Sequence, residues 1–248
     1  MHGDHTFGLM GLIASAGLAG NAQSIDVYGP SGLSEYLQAC AKYAYMNLSS
    51  RLKVHQVSPG IVYEDENFQV SCQLLKHRVP AYGYRIEEKA RSGKFDVAKA
   101  QALGIPPGPV YGKLKAGLTI TLEDGRMING AELCSAPETG RKIAYCTDTV
   151  FCDAAVELAQ DADVLIHEAT YAHQDAKMAF ERLHSTSTMA AQVALLAGVK
   201  QLIMTHFSPR YTAFSSLTLD ALKQEARAIF PQTKLAYDFY TYEVPRHK

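Results

Sequence analysis

No apolar run in this 248-residue chain reaches the roughly 18–20 residues needed to span a bilayer, so no membrane partner is expected. No C-x-x-C pair occurs, and the five cysteines (Cys40, Cys72, Cys134, Cys146, Cys152) are an odd count. They read as free thiols, better suited to small core positions than to metal ligation, and a reducing, cytoplasmic location is expected. Charge of one sign is also lacking. A net charge of −1 gives no global attraction for nucleic acid. There is no internal repeat, and no low-complexity stretch beyond one Pro/Gly-rich segment. The mildly apolar stretch from Phe7 to Ala22 is broken by Gly and Ser and has no basic residues ahead of it, so it is not expected to be a signal peptide. With 47% hydrophobic residues, the composition is that of a globular protein of one large or two small domains.

What is present starts at the first residues. In Met1-His2-Gly3-Asp4-His5, two imidazoles and a carboxylate fall within four positions, a combination that suits zinc and similar cations. Residues 8–20 are small and apolar and predict a helix behind this cluster. Ile25 to Tyr28 predicts a strand ended by Gly29-Pro30. Ser31 is a candidate cap for a helix with apolar positions at Leu33, Tyr36, Leu37, Cys40, Tyr43 and Ala44. Strands are predicted at Val54 to Val57, Gly60 to Tyr63, Phe68 to Leu75 and Tyr82 to Glu87, with His77 on a loop at a strand end.

Residues 87–121 differ in character. Pro106, Pro107 and Pro109 alternate with Gly104, Gly108 and Gly112, which predicts no regular element between Leu103 and Lys113. From Arg85 to Lys115 there are seven basic side chains against three acidic ones, a net charge of +4 in a chain of −1. Such an excursion is either an electrostatic arm for phosphates or a solvated surface loop. Leu122 to Arg126 reads as a hairpin turn.

From residue 142 onward strands and helices alternate. Strands are predicted at Lys142 to Cys146, Asp163 to His167 and Gln201 to Thr205. Helices are predicted at Asp153 to Gln160, after His184-Ser185-Thr186-Ser187 through Leu196 with Gly198 as a left-handed cap, and over about fifteen residues ending near Phe230. An aromatic strand is predicted from Leu235 to Val244. Asp148, Glu168 and His206 then stand at the carboxyl ends of strands, where active sites of α/β proteins collect.

The candidate metal ligands are therefore His2, Asp4, His5, His77, Asp148 and His206. Six N/O donors suit two divalent ions with one carboxylate bridging them. Such a pair can activate water, polarise a phosphoryl oxygen and stabilise a leaving oxygen. Each of His77, Asp148 and His206 could instead be a satisfied polar group at a strand end.

His2-Gly3-Asp4-His5 followed by Thr6-Phe7-Gly8-Leu9 resembles the His-x-His-x-Asp-His signature of the metallo-β-lactamase superfamily. Further segments resemble the ribonuclease Z family in the same order along the chain. They are His77 leading into Tyr82-Gly83-Tyr84-Arg85, Gly104 to Pro109 with Lys113-Leu114-Lys115, and Thr147-Asp148-Thr149. His167-Glu168-Ala169-Thr170, His184-Ser185-Thr186 and Thr205-His206 with Arg210-Tyr211 complete the series. The resemblance implies an α/β fold, the four-layer αββα metallo-β-lactamase sandwich, formed by residues 1–248 with an inserted tRNA-binding arm at 87–121. It implies two Zn2+ ions, with Mn2+ or Co2+ as substitutes. One would be held by His2, His77 and bridging Asp148, the other by Asp4, His5, Asp148 and His206. Asp4 would also act as general base, and His184, oriented by Glu168, would serve the departing 3′ oxygen. The implied reaction removes the 3′ trailer of precursor tRNA and leaves a tRNA 3′-hydroxyl. A homodimer is also implied.

The family's first motif histidine and its opening strands have no counterpart here, and Met1 falls at the variable position of His-x-His. A sandwich lacking its opening strands, and a poorly folded and inactive polypeptide as written, are therefore expected. Two other readings remain. One is a non-catalytic remnant that binds tRNA; the other is a general phosphodiesterase of the same fold. Glu168 and His184 could be a structural pair. Arg210 could contact phosphate or form a salt bridge. His167 is expected to support its strand end, and Tyr43 and Tyr45 to pack in the core or form a dimer face. His55, His173 and His247 carry no functional signal.

Overall fold

The computed structural model describes residues 1–18, 24–46, 52–91, 93–211 and 214–246. The chain forms two compact units. The first comprises Met1–Asp65, Gln69–Ile86 and Lys142–Val244, and the second Glu66–Phe68, Glu87–Arg141 and Pro245–Lys248.

The first unit opens with α1 (Gly3–Leu18), β1 (Ile25–Gly29), α2 (Leu33–Tyr43) and β2 (Leu52–Gln56), then β3 (Gly60–Glu64), β4 (Phe68–Leu75) and β5 (Ala81–Glu88). The second unit carries α3 (Val97–Ala102), α4 (Pro109–Lys115), β6 (Thr119–Thr121) and β7 (Met127–Asn129). The chain then returns through β8 (Lys142–Cys146), α5 (Asp153–Ala159), β9 (Val164–Glu168), α6 (Ala176–Arg182), α7 (Ser187–Leu196), β10 (Gln201–Thr205), α8 (Leu219–Arg227) and β11 (Thr233–Leu235).

Seven strands make the main sheet in the order β11-β10-β9-β8-β5-β4-β3. The β8–β9, β9–β10 and β10–β11 pairs are parallel, whereas β3 and β4 are antiparallel. The apolar run of β9 reads as a strand buried on both faces, and its residues are almost wholly enclosed. One core lies against this half of the sheet, where Leu165, Leu202 and Met204 meet Ala155, Ala190, Ala194 and Ala226 of the helices. The alanines let α7 approach closely, and its buried face is Ser187, Ala190, Ala191, Val193 and Ala194. A separate two-stranded sheet pairs β1 with β2 in parallel. Helices α1 and α2 cover it through Ile13, Leu33 and Leu37.

Several expectations need correction. Ser31 does not cap α2. The turn is made by Gly32 at φ 85, with no side-chain cap, because a left-handed entry favours glycine. Tyr43 and Tyr45 are exposed rather than in the core, since α2 buries the face of Leu33, Leu37 and Ala41. The helix before Phe230 has nine residues rather than about fifteen. No strand runs from Leu235 to Val244: β11 ends at Leu235 and Phe239 turns to φ 64. Tyr237 and Phe239 project into solvent, so their aromatic content reflects no ladder. The end of the helix predicted over 8–20, and His247, lie outside the described residues.

In the second unit, the stretch between Leu103 and Lys113 is not without structure. Pro109 occupies the first turn of α4, where its missing N–H is no loss. Helix α3 also escaped the sequence reading. Its start is set by Asp96, whose side chain accepts from the Lys99 amide at 2.9 Å. Ala100, Ile105, Leu114 and Leu133 form a core of this unit's own, and β6 and β7 make a hairpin around Gly125.

The last two residues of β5, Glu87 and Glu88, fall in the second unit, where Arg141 grips Glu88. Its Nε donates to Oε2 at 2.8 Å and its backbone amide to the same oxygen at 3.2 Å. The Arg141 hydrogen bond holds the Glu88 carboxyl down at about 2, against an ordinary 4.5. A carboxyl depressed by folding stabilises fully above its unfolded value and ceases to do so as pH falls through its folded value. Glu88→Gln is therefore expected to lower stability by about 1.5–3 kcal/mol at neutral pH. Denaturant unfolding at stepped pH checks this: the wild-type and variant curves should converge between pH 4.5 and about 2.

Candidate metal centre

The first unit brings the six predicted ligands and the Glu168–His184 pair to one place. His2 precedes α1, and Asp4 and His5 lie in its first turn. A spacing of three puts His2 and His5 on one helix face. Asp148 follows β8 and His206 follows β10, while Glu168 is the last residue of β9. These three strands are parallel neighbours, so their carboxyl ends share one edge. At Asp148 (φ 52) and His206 (φ 57) the backbone is left-handed, a conformation that Asp and His adopt more readily than most side chains.

Asp148 is the centre. Its Oδ2 lies 3.0 Å from His5 Nε2, 3.7 Å from His2 Nδ1 and 3.9 Å from His77 Nε2. Its Oδ1 lies 3.2 Å from His206 Nε2, without the alignment of a hydrogen bond. Asp4 Oδ2 stands 3.4 Å from His5 Nε2 and 3.7 Å from His206 Nε2. Donor atoms of His2, His77 and Asp148 lie within 4.8 Å of one another, and so do those of Asp4, His5 and His206. The set Asp148, Glu168, His184 and His206 meets the same limit. Cavity space of about 320 Å³, lined mostly by apolar groups, opens beside His2, His5 and Asp148.

The environment fits a divalent cation. His77 Nε2 and Asp148 Oδ1 are buried and have no hydrogen-bond partner, which is costly unless something else satisfies them. The other ring nitrogen of His77, Nδ1, is 2.8 Å from the Leu183 carbonyl. That contact requires N–H at Nδ1 and leaves a lone pair on Nε2. Burial, then the nearby His77, pull the His2 imidazole below its ordinary pKa, which favours the neutral ring that binds metal. Burial opposes ionisation of Asp4, but His5 and hydrogen bonds outweigh it and lower its pKa.

Glu168 is fully enclosed and accepts four hydrogen bonds. Oε1 takes the Thr149 amide at 2.6 Å and His184 Nδ1 at 2.9 Å. Oε2 takes the Thr170 hydroxyl at 2.6 Å and the Ser185 amide at 2.9 Å. Burial alone would raise its pKa, yet these donors, His184 foremost, bring it below the ordinary value. For His184 the balance is reciprocal. Burial disfavours its charge, but the Glu168 carboxylate raises its pKa overall.

Sequence reasoning gave no role to Thr170 or to the Leu183 carbonyl. A short polar side chain two residues past a strand-end glutamate was the available signal for Thr170; a backbone carbonyl leaves none. Arg210 forms a salt bridge, 3.8 Å from Asp175, and lies over the Tyr171 ring. His167 is buried with Nδ1 2.7 Å from the Glu168 carbonyl, as a strand-end support would be. All five cysteines are free.

Residues 133–207 match the β-lactamase superfamily domain, and the chain has the metallo-β-lactamase fold. It is 27% identical to human tRNase Z, short form, with a TM-score of 0.65 over 99% of this chain and 76% of that one. The metallo-β-lactamase fold protein YhfI from Bacillus subtilis, at 19% identity and TM-score 0.57, shares the fold over 95% of this chain and 71% of its own. The chain is 71% identical to ribonuclease Z of Microcystis aeruginosa, matching over its whole length and 78% of that relative. It belongs to the ribonuclease Z family. Fold and family imply a divalent-metal site, for which these clusters are the candidates. Among the described residues no helix is long and apolar enough to cross a membrane.

Proposed function

We propose that this chain is a zinc-dependent endoribonuclease that hydrolyses precursor tRNA at its 3′ trailer and leaves a 3′-hydroxyl on the tRNA. The observation that carries this reading is the convergence of six imidazole and carboxylate ligands, two of which, Asp148 and His77, hold buried atoms (Oδ1 and Nε2) with no hydrogen-bond partner. The name ribonuclease Z, borne by relatives at 71% and 67% identity, supports the substrate class. His2, His77 and Asp148 would hold one ion, and Asp4, His5, Asp148 and His206 a second. Two such ions supply Lewis-acid stabilisation of charge on the reacting phosphate. Asp4, whose carboxyl is held below its usual pKa, accepts the proton of the attacking water. His184, charged more readily because of Glu168, holds a proton for the departing 3′ oxygen. The basic second unit grips the tRNA. The working form is a homodimer in the cytoplasm.

The test is incubation with end-labelled precursor tRNA under Zn2+, Mn2+ or Co2+, and after chelation. One cut at the trailer junction, lost on chelation, is the expected result. Binding without cleavage would favour a tRNA-binding remnant. Equal cleavage of unrelated RNAs and small diesters would favour a general phosphodiesterase.

Lys94, Lys113 and Lys115 sit in the second unit. Replacing all three by alanine is expected to raise KM for precursor tRNA about tenfold or more, and to flatten its log–log salt dependence by about 0.7–0.9 per lost phosphate contact. Hydrolysis of a small phosphodiester should stay unchanged. Equal losses on both substrates would count against the grip.

A further inference from the structure

We propose that Thr170 is a positioning residue that fixes the tautomer of His206 and so prepares its Nε2 for a cation. The proposal rests on the metal-centre reading above.

The Thr170 hydroxyl has one hydrogen and several claimants. Glu168 Oε2 lies 2.6 Å away, the His206 carbonyl 3.0 Å, His206 Nδ1 2.9 Å and His184 Nδ1 3.5 Å. A hydroxyl donates once and accepts through its lone pairs. The buried carboxylate is both the nearest claimant and the charged one, and a charge-assisted bond is about twice as strong as a neutral one. The hydrogen therefore goes to Glu168. The oxygen is left as an acceptor, and the only way His206 Nδ1 can satisfy it at 2.9 Å is to carry a proton.

With Nδ1 protonated, the neutral ring has its lone pair on Nε2. That atom faces Asp148 Oδ1 at 3.2 Å and Asp4 Oδ2 at 3.7 Å. The opposite tautomer would place N–H toward these carboxylates, an attraction in the metal-free protein. It would also require Thr170 to turn its hydrogen from Glu168 to Nδ1, leaving one of the four bonds to the enclosed carboxylate unmade. Thr170 thus ties the candidate metal ligand His206 to the carboxylate that orients His184. His77 gains the same presentation from the Leu183 carbonyl, so the two rings reach one state by different means.

The test compares wild type with Thr170→Val, which keeps the shape and loses the hydroxyl, and Thr170→Ser, which keeps the hydroxyl. Imidazole nitrogen NMR on metal-free protein should show His206 protonated at Nδ1 in wild type and Thr170→Ser, with the other tautomer gaining in Thr170→Val. Zinc titration against a competing chelator should show one binding equivalent weakened about 10–100-fold in Thr170→Val and little changed in Thr170→Ser. A wild type protonated at Nε2 overturns the proposal even if no variant folds. So does a folded Thr170→Val with wild-type tautomer and zinc affinity. A wild type that binds no zinc but is protonated at Nδ1 would sink the metal reading and leave the tautomer assignment standing.

Discussion

Asp148→Asn is expected to lower precursor-tRNA cleavage by about 10³-fold or more and to remove bound metal from both ligand sets. Asp148 is within 4 Å of ring nitrogens from His2, His5, His77 and His206, so its carboxylate faces both sets. Asparagine keeps the volume, but removes the charge and exchanges one oxygen for an N–H2 group facing imidazoles. It also tolerates the φ of 52, since Asn is among the few side chains that visit the left-handed region. The substitution therefore separates chemistry from folding. Metal content by elemental analysis should fall to near zero while the thermal midpoint of the metal-free protein stays put. A variant that retains two equivalents of metal would refute the bridging role.

The second large effect is on stability. Glu168→Ala is expected to cost about 3–5 kcal/mol, the range for removing one partner of a buried charge pair. Four donors from three segments lose their acceptor: the Thr149 amide, the Ser185 amide, the Thr170 hydroxyl and the His184 ring. Thr149 and Ser185 are wholly buried, so solvent does not readily replace the lost acceptor. Glu168→Gln should recover only part of the loss, because its amide presents hydrogens where donors already stand. Denaturant titration of all three proteins at neutral pH measures this. In the wild type the contribution persists above the ordinary carboxyl value of 4.5 and is lost as pH falls through the lower folded value. A loss below about 1 kcal/mol in Glu168→Ala would mean the site relaxes around the gap.

The second half of the chain was readable because its signals are local. Apolar runs such as Val164–His167 mark β9 within a residue, and a polar residue after each strand marks the edge where the site forms. Two kinds of feature were not readable. Pro106, Pro107 and Pro109 suggested an unstructured stretch, although a proline in the first turn is compatible with α4. The aromatic alternation after Leu235 suggested a strand, but alternation without a pairing edge gives none. In the site, the ligands themselves were visible as residue types. Their hydrogen-bond partners were not: Leu183 acts through a carbonyl that any residue carries, and Thr170 acts through a distance known only once β9 and β10 are paired.

Asp148, Leu183 and His206 all have left-handed backbones, at φ 52, 56 and 57. Each such residue costs about 1–3 kcal/mol, in a molecule whose net stability is of the order of 5–15 kcal/mol. Glycine would remove that cost at all three positions, and at Asp148 and His206 it would remove the ligand too. Directed evolution for heat resistance alone should therefore drift toward glycine at these sites. Selection that also demands cleavage has to find its stability elsewhere in the fold.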